Sequence, residues 1–265
     1  MRWTYILYLS ALASLFWPVL TVMLKKHPTR AQLLLSITLM FEAAAMLMLC
    51  VYFRGRAGCL FIYDFLLETI VIVCGPLYFI GVCSLTEPSG VNLRQRRVLL
   101  MPLLFIVGLT VAAWWLGPRR YEEMCQMLRL GGNLLPTGDA PMQFMLFWHN
   151  IVFPVLLLVF NFVLLLISGN KLRIYRRRFN SFYAPKIGVH LKHSRTLDVF
   201  MWLFMPLGVL ALVLAESRPY YVKYYLIVTV VLLAVVQLLY GRYIYSLDYD
   251  ARYLAQLVRD EMDEK

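Results

Sequence analysis

Apolar residues in this chain gather into long runs, separated by short clusters of Lys, Arg, Gly and Pro. The runs cover residues 3–24, 31–53, 58–83, 98–116, 142–168, 196–215 and 222–245. A helix needs roughly 20 mostly apolar residues to cross a bilayer, and each run is close to that length. The pattern predicts an all-α, polytopic membrane bundle of seven transmembrane helices over residues 1–245. A cytoplasmic amphipathic helical tail over 246–265 follows. The first run, MRWTYILYLSALASLFWPVLTVML, is longer than the apolar centre of a signal peptide and is expected to stay as a span. Prolines at Gly75-Pro76, Pro154 and Pro206 interrupt three of the runs. Each removes a backbone donor and crowds the preceding turn, which makes Gly75, Pro76 and Pro154 candidate hinges.

Composition agrees with this pattern. The chain has 265 residues, 61% of them hydrophobic and only 15% charged. A soluble domain carries about 25% charged residues. The formal net charge is +11, a value that in a soluble domain would suggest nucleic acid. Here the basic residues sit between the runs, where they set orientation. If the chain alternates sides, one face receives 18 Lys and Arg and the other 8. The richer face is expected in the cytoplasm, with the N-terminus outside and the C-terminus inside. In a bacterium this is the inner membrane.

Two inner segments have further patterning. In KLRIYRRRFNSFYA, the residues Leu172, Tyr175, Phe179 and Phe182 recur at helical spacing, so the fifth helix should run on as an amphipathic extension. Its Arg173, Arg176, Arg177 and Arg178 form a basic surface suited to anionic lipid or to signalling. Beyond Arg242, the residues Leu247, Ala251, Leu254 and Val258 form one heptad-like stripe that could pair two copies. The acidic end DEMDEK opposes the helix dipole there.

Ionisable residues inside spans are costly and therefore informative. Asp64 and Glu68 are four apart and share a helix face. Glu42 and Glu68 each lie 12 residues from the outer loop, which is about 18 Å of helix. Asp64 is about 12 Å down by the same rise, and His149 with Asn150 falls at a similar level. Glu42, Asp64, Glu68, His149 and Asn150 are thus candidates for one polar, ligand-binding cluster in the outer half. Three readings stay open: interhelical glue, a ligand or ion pocket, and a proton pathway.

Catalysis has little support. The chain has no H-E-x-x-H, G-x-S-x-G or G-x-x-x-x-G-K-[ST] motif, and Asp64-x-x-x-Glu68 alone is a weak metal signal. No enzyme activity, metal or cofactor is expected. No C-x-x-C pair occurs among the five cysteines. Cys59 and Cys125 both fall on the outer side, where a bridge could pin the outer loop and where two free thiols are equally acceptable.

Seven spans with the N-terminus outside, the inner motif IYRRRFNSFYA and a helical stalk after the last span together resemble the membrane-sensor half of bacterial (Bacteroidetes-type) membrane-tethered regulators. Their outputs are AraC-type helix-turn-helix domains. No such output domain follows here, so direct nucleic-acid binding is not expected. The resemblance implies a sensory or signalling module that passes a signal from its outer half to the inner loop and tail. A homodimer through the tail, or a separate cytoplasmic output protein, would be the partner. The alternatives are a small proton-coupled transporter and a structural membrane protein without a ligand.

Overall fold

A computed structural model describes residues 2–54, 58–87, 91–130, 140–183 and 222–247, together with Leu203, Leu207 and Gln256. Every regular element among them is helical. We label the helices α1 (Arg2–Ser14), α2 (Phe16–Met23), α3 (Arg30–Arg54), α4 (Leu60–Thr86), α5 (Leu93–Arg96), α6 (Leu100–Leu116), α7 (Pro118–Leu130), α8 (Ala140–Phe147), α9 (Phe153–Arg178) and α10 (Val222–Tyr245). A 3-10 turn, Arg97–Leu99, joins α5 to α6. π-helical turns, Trp148–Val152 and Phe179–Tyr183, flank α9.

Six stretches among the described residues are long and apolar enough to cross a membrane: Tyr5–Met23, Arg30–Val51, Leu60–Thr86, Leu93–Leu116, Phe153–Ser181 and Ile227–Tyr245. The chain is therefore a multi-pass membrane protein by length and composition. The expected span at 196–215 and the tail stripe at Ala251, Leu254 and Val258 lie outside the described residues. Leu207 alone of that span is seen to pack, against a cluster that includes Leu7, Met46 and Val230.

Proline explains where the helices depart from single rods. Pro18 has no N–H to give the Ser14 carbonyl, and the first span divides at Leu15 into α1 and α2. Pro102 leaves the Val98 carbonyl without its partner in the same way, where the chain winds as 3-10 before α6. Pro154 does the same to Asn150, inside the π-turn.

The core divides by depth. At one end Leu35 and Leu39 of α3, Val82 and Leu85 of α4, Leu172 and Tyr175 of α9, and Tyr240 and Ile244 of α10 pack together. At the other, Leu60 and Ile72 of α4 meet Phe105 and Leu109 of α6, Tyr121 and Met124 of α7, and Met142 and Met145 of α8. The outward faces stay apolar, as with Leu104, Val107 and Val111 on α6 and Leu158, Phe162 and Leu166 on α9. Apolar surface on this scale needs lipid against it. Trp114 and Trp115 are exposed at the end of α6, a position typical of the lipid–water interface.

The first of these ends, which carries the basic residues, is tied by polar contacts. Gln32 Nε2 donates to the Ile244 carbonyl at 2.9 Å and to the Tyr245 carbonyl at 3.3 Å. This satisfies carbonyls that the last turn of a helix leaves without partners. Lys25 Nζ donates to Tyr245 O at 2.9 Å. Lys171 of α9 pairs with Glu87 after α4, and Gln95 of α5 donates to the same carboxylate at 2.7 Å.

Candidate functional site

α4 carries the site. Asp64 and Glu68 are one turn apart on its buried face, about 6 and 12 Å past the start of the helix at Leu60. They are 3% and 2% exposed. His149 comes to them from the π-turn ahead of α9, and is 8% exposed. In that turn the Phe153 N–H reaches back five residues to the Trp148 carbonyl. Pro154 cannot supply the ordinary bond to Asn150, so the wider turn is the local answer to a proline.

His149 Nδ1 lies 2.8 Å from Glu68 Oε1 and 3.8 Å from Asp64 Oδ2. With its proton on Nδ1 the imidazole donates to Glu68. One ligand atom from each of the three side chains lies within 4.8 Å of the others. The arrangement can hold a proton between acid and base, or a cation between three donors. It also joins α4 to α9 well inside the bundle.

The roof over this trio is α7, whose buried face is Tyr121, Glu122, Met124 and Cys125. The Tyr121 hydroxyl donates to Asp64 Oδ2 at 2.9 Å. Burial, then the charges of Asp64 and Glu68, push the Tyr121 phenol well above its ordinary value. It therefore stays protonated and donating. Burial, with Asp64 and Glu122 nearby, likewise raises the Cys125 thiol, so Cys125 is an apolar packing group and not a thiolate.

Glu122 holds the roof in place. The N-cap residue of α4, Cys59, makes no side-chain cap. Glu122 reaches across instead and accepts the Gly58 N–H at 2.6 Å and the Phe61 N–H at 3.1 Å. A carboxylate at a helix N-terminus satisfies open donors and meets the positive end of the dipole. Burial pushes its carboxyl up, but the Gly58, Phe61 and Leu60 amides and the Gln126 side chain outweigh that and hold it below the usual value.

The sequence-predicted residues separate. Asp64, Glu68 and His149 come together. Glu42 is not part of that trio, although it matches Glu68 in distance from the connection between α3 and α4: it accepts from Gln237 Nε2 of α10 at 3.3 Å. Its face of α3 turns to α10, while Asp64 and Glu68 turn to α9 and α7. The side chain of Asn150 lies outside the described residues. The possible Cys59–Cys125 bridge is not formed: neither cysteine is in a disulfide. Cys59 is exposed before α4 and Cys125 points into the core.

The hinge candidates also resolve. α4 continues as helix through Gly75 and Pro76. Gly75 is a contact point: a Cβ there would lie 1.8 Å from Asn161 Oδ1 of α9. Pro154 is tied to the π-turn that presents His149. Of the basic residues, Arg173, Arg177 and Arg178 are exposed and Arg176 is half-buried, while Leu172, Tyr175 and Phe179 pack inward. The side chain of Phe182 lies outside the described residues.

Tyr121, Glu122 and Gln237 are the residues that reading the sequence missed. The available signal was Pro118 at a helix start after Gly117, followed by Tyr121, Met124 and Cys125 at helical spacing. Comparison with family models, with curated proteins and with solved structures finds no match. The likeness to tethered regulators therefore rests on the residues quoted for it alone.

Proposed function

We propose that this chain is a sensory or signalling module of a bacterial inner membrane. In this reading it has seven spans, an external N-terminus and a cytoplasmic C-terminus. The basic segment around Arg173–Arg178 and the C-terminal helix pass the signal to a cytoplasmic partner or to a second copy. One observation carries the reading: the buried Asp64–Glu68–His149 trio is bonded directly to the roof helix α7 through Tyr121. A change in charge or occupancy of the trio would act on α7 above it, and on α4 and α9 beside it. α4 ends at Glu87, which pairs with Lys171 about two turns before the end of α9, so a shift of one helix against the other would be felt at the basic end of the bundle.

The test is the double variant Asp64→Asn, Glu68→Gln in lipid nanodiscs, compared with wild type by hydrogen exchange. The expected outcome is altered protection at 171–179 and 242–247 with insertion and melting temperature near wild type. Uniform loss of protection would instead make the trio a structural clasp. Carboxylate-dependent proton or solute flux in proteoliposomes would replace signalling with transport.

A further inference from the structure

We propose that Asp64, Glu68 and His149 form a binding site for a divalent first-row transition-metal ion. The inference takes the preceding reading as its base, since it names the ligand class of the same site. Three features carry it. First, the donor set is mixed, with one imidazole and two carboxylates, a combination suited to ions such as Zn2+, Mn2+ or Fe2+. Second, the atoms are already close to coordination spacing. An ion about 2.0–2.2 Å from N and O ligands sets neighbouring donors roughly 3 to 3.5 Å apart. Nδ1 lies 2.8 Å from Glu68 Oε1 and 3.8 Å from Asp64 Oδ2, and all three donors lie within 4.8 Å of one another, so side-chain shifts of about 1 Å would seat it. Third, all three donors are buried, where charge must be matched within the site. A divalent ion would supply positive charge to set against the two carboxylates.

The surroundings fit the role. Tyr121 already bonds Asp64 Oδ2, the kind of outer hydrogen bond that orients a ligating carboxylate. The π-turn that brings His149 inward is a feature often found at functional sites. Protein ligands would supply three coordination positions, and a fourth would fall to water or a further ligand.

The experiment uses the full chain in nanodiscs, stripped with chelator and titrated with Co2+ alone, with bound metal counted by elemental mass spectrometry. Visible d–d absorption should saturate at about one ion per chain and be displaced by Zn2+. Glu68→Gln should weaken binding at least about 10-fold, and His149→Gln should abolish the band. Cys59→Ser should leave it unchanged, since the exposed thiol is no part of the site. If His149→Gln does not fold, Asp64→His keeps a donor in place and should bind with a shifted spectrum. No saturable band in the wild type, or wild-type binding by Glu68→Gln, overturns the site. Saturable binding without any change in exchange at 171–179 and 242–247 would leave the metal site standing and overturn the sensory reading.

Discussion

Tyr121 reaches from a helix outside the spans to donate its hydroxyl to Asp64 at 2.9 Å inside one. This bond links α7, beyond the end of the span, to the buried trio. A hydrogen bond to a charged group contributes about 1.5–3 kcal/mol. Tyr121→Phe keeps the ring that packs edge-on against Phe61 and removes only the donor. It should lower unfolding stability in detergent by about that amount and increase exchange across α7. An unchanged denaturation midpoint would show that Asp64 finds another donor at no cost.

Glu122 predicts a pH dependence. Its carboxyl is held below the ordinary value by the amides it accepts. A folded value below the unfolded one means the stabilisation is complete above the ordinary carboxylate range. It is lost as pH falls through the folded value. Lowering the pH from 6 toward 3, over about three units around the ordinary carboxylate value, should thus lower the protection factor, exchange relative to the intrinsic rate at the same pH, at the first turn of α4 in the wild type. Glu122→Gln should show low protection there at every pH, with a loss of about 1 kcal/mol as for other caps. A wild-type first turn indifferent to acid would refute the capping role.

The contact between α4 and α9 at Gly75 allows no side chain. Gly75→Ala should destabilise the bundle by about 1–3 kcal/mol, the usual cost of overpacking, because its Cβ would meet Asn161 Oδ1. Asn161→Ala should recover much of that loss in the double variant, which a thermal-shift cycle would read as a favourable coupling energy. Additive losses would mean that the two sites do not touch.

Two thiols give a topology assay. A maleimide that cannot cross the membrane should modify Cys59 in intact vesicles from one side only, and Cys125 only after unfolding, since one is exposed and the other buried. Reductant should leave electrophoretic mobility unchanged. Labelling of Cys59 from the cytoplasmic side would invert the proposed orientation.

The extent of each helix along the chain was legible from sequence and direction around it was not. Runs of apolar residues fixed α3, α4 and α10 to within a few residues, because span length is set by the bilayer. Counting from the loops put Glu42 and Glu68 at equal distances, and it could not say that Glu42 turns to Gln237 while Glu68 turns to His149. That choice depends on which helices are neighbours, and an apolar helix hydrophobic on every side carries no stripe to reveal it. α7 was hidden for another reason. Its four charged residues before Cys125 read as an outer loop, although Tyr121, Met124 and Cys125 pack as one face. The acid pair stood out because charge is rare in spans. Its tyrosine partner did not, because a tyrosine near an interface is commonplace.

The π-turn at Trp148–Val152 carries one last consequence. A π-turn holds a residue more than the α-turn it replaces, and a helix advances about 100° per residue. If the turn tightened to α, the segment from α8 to His149 would rotate about its axis by roughly that angle relative to α9. His149 would leave Glu68 without any helix having to unfold. The histidine is mounted on a ratchet with one tooth, and the proline beside it, which cannot donate the bond an α-turn would use, weighs against the tooth slipping.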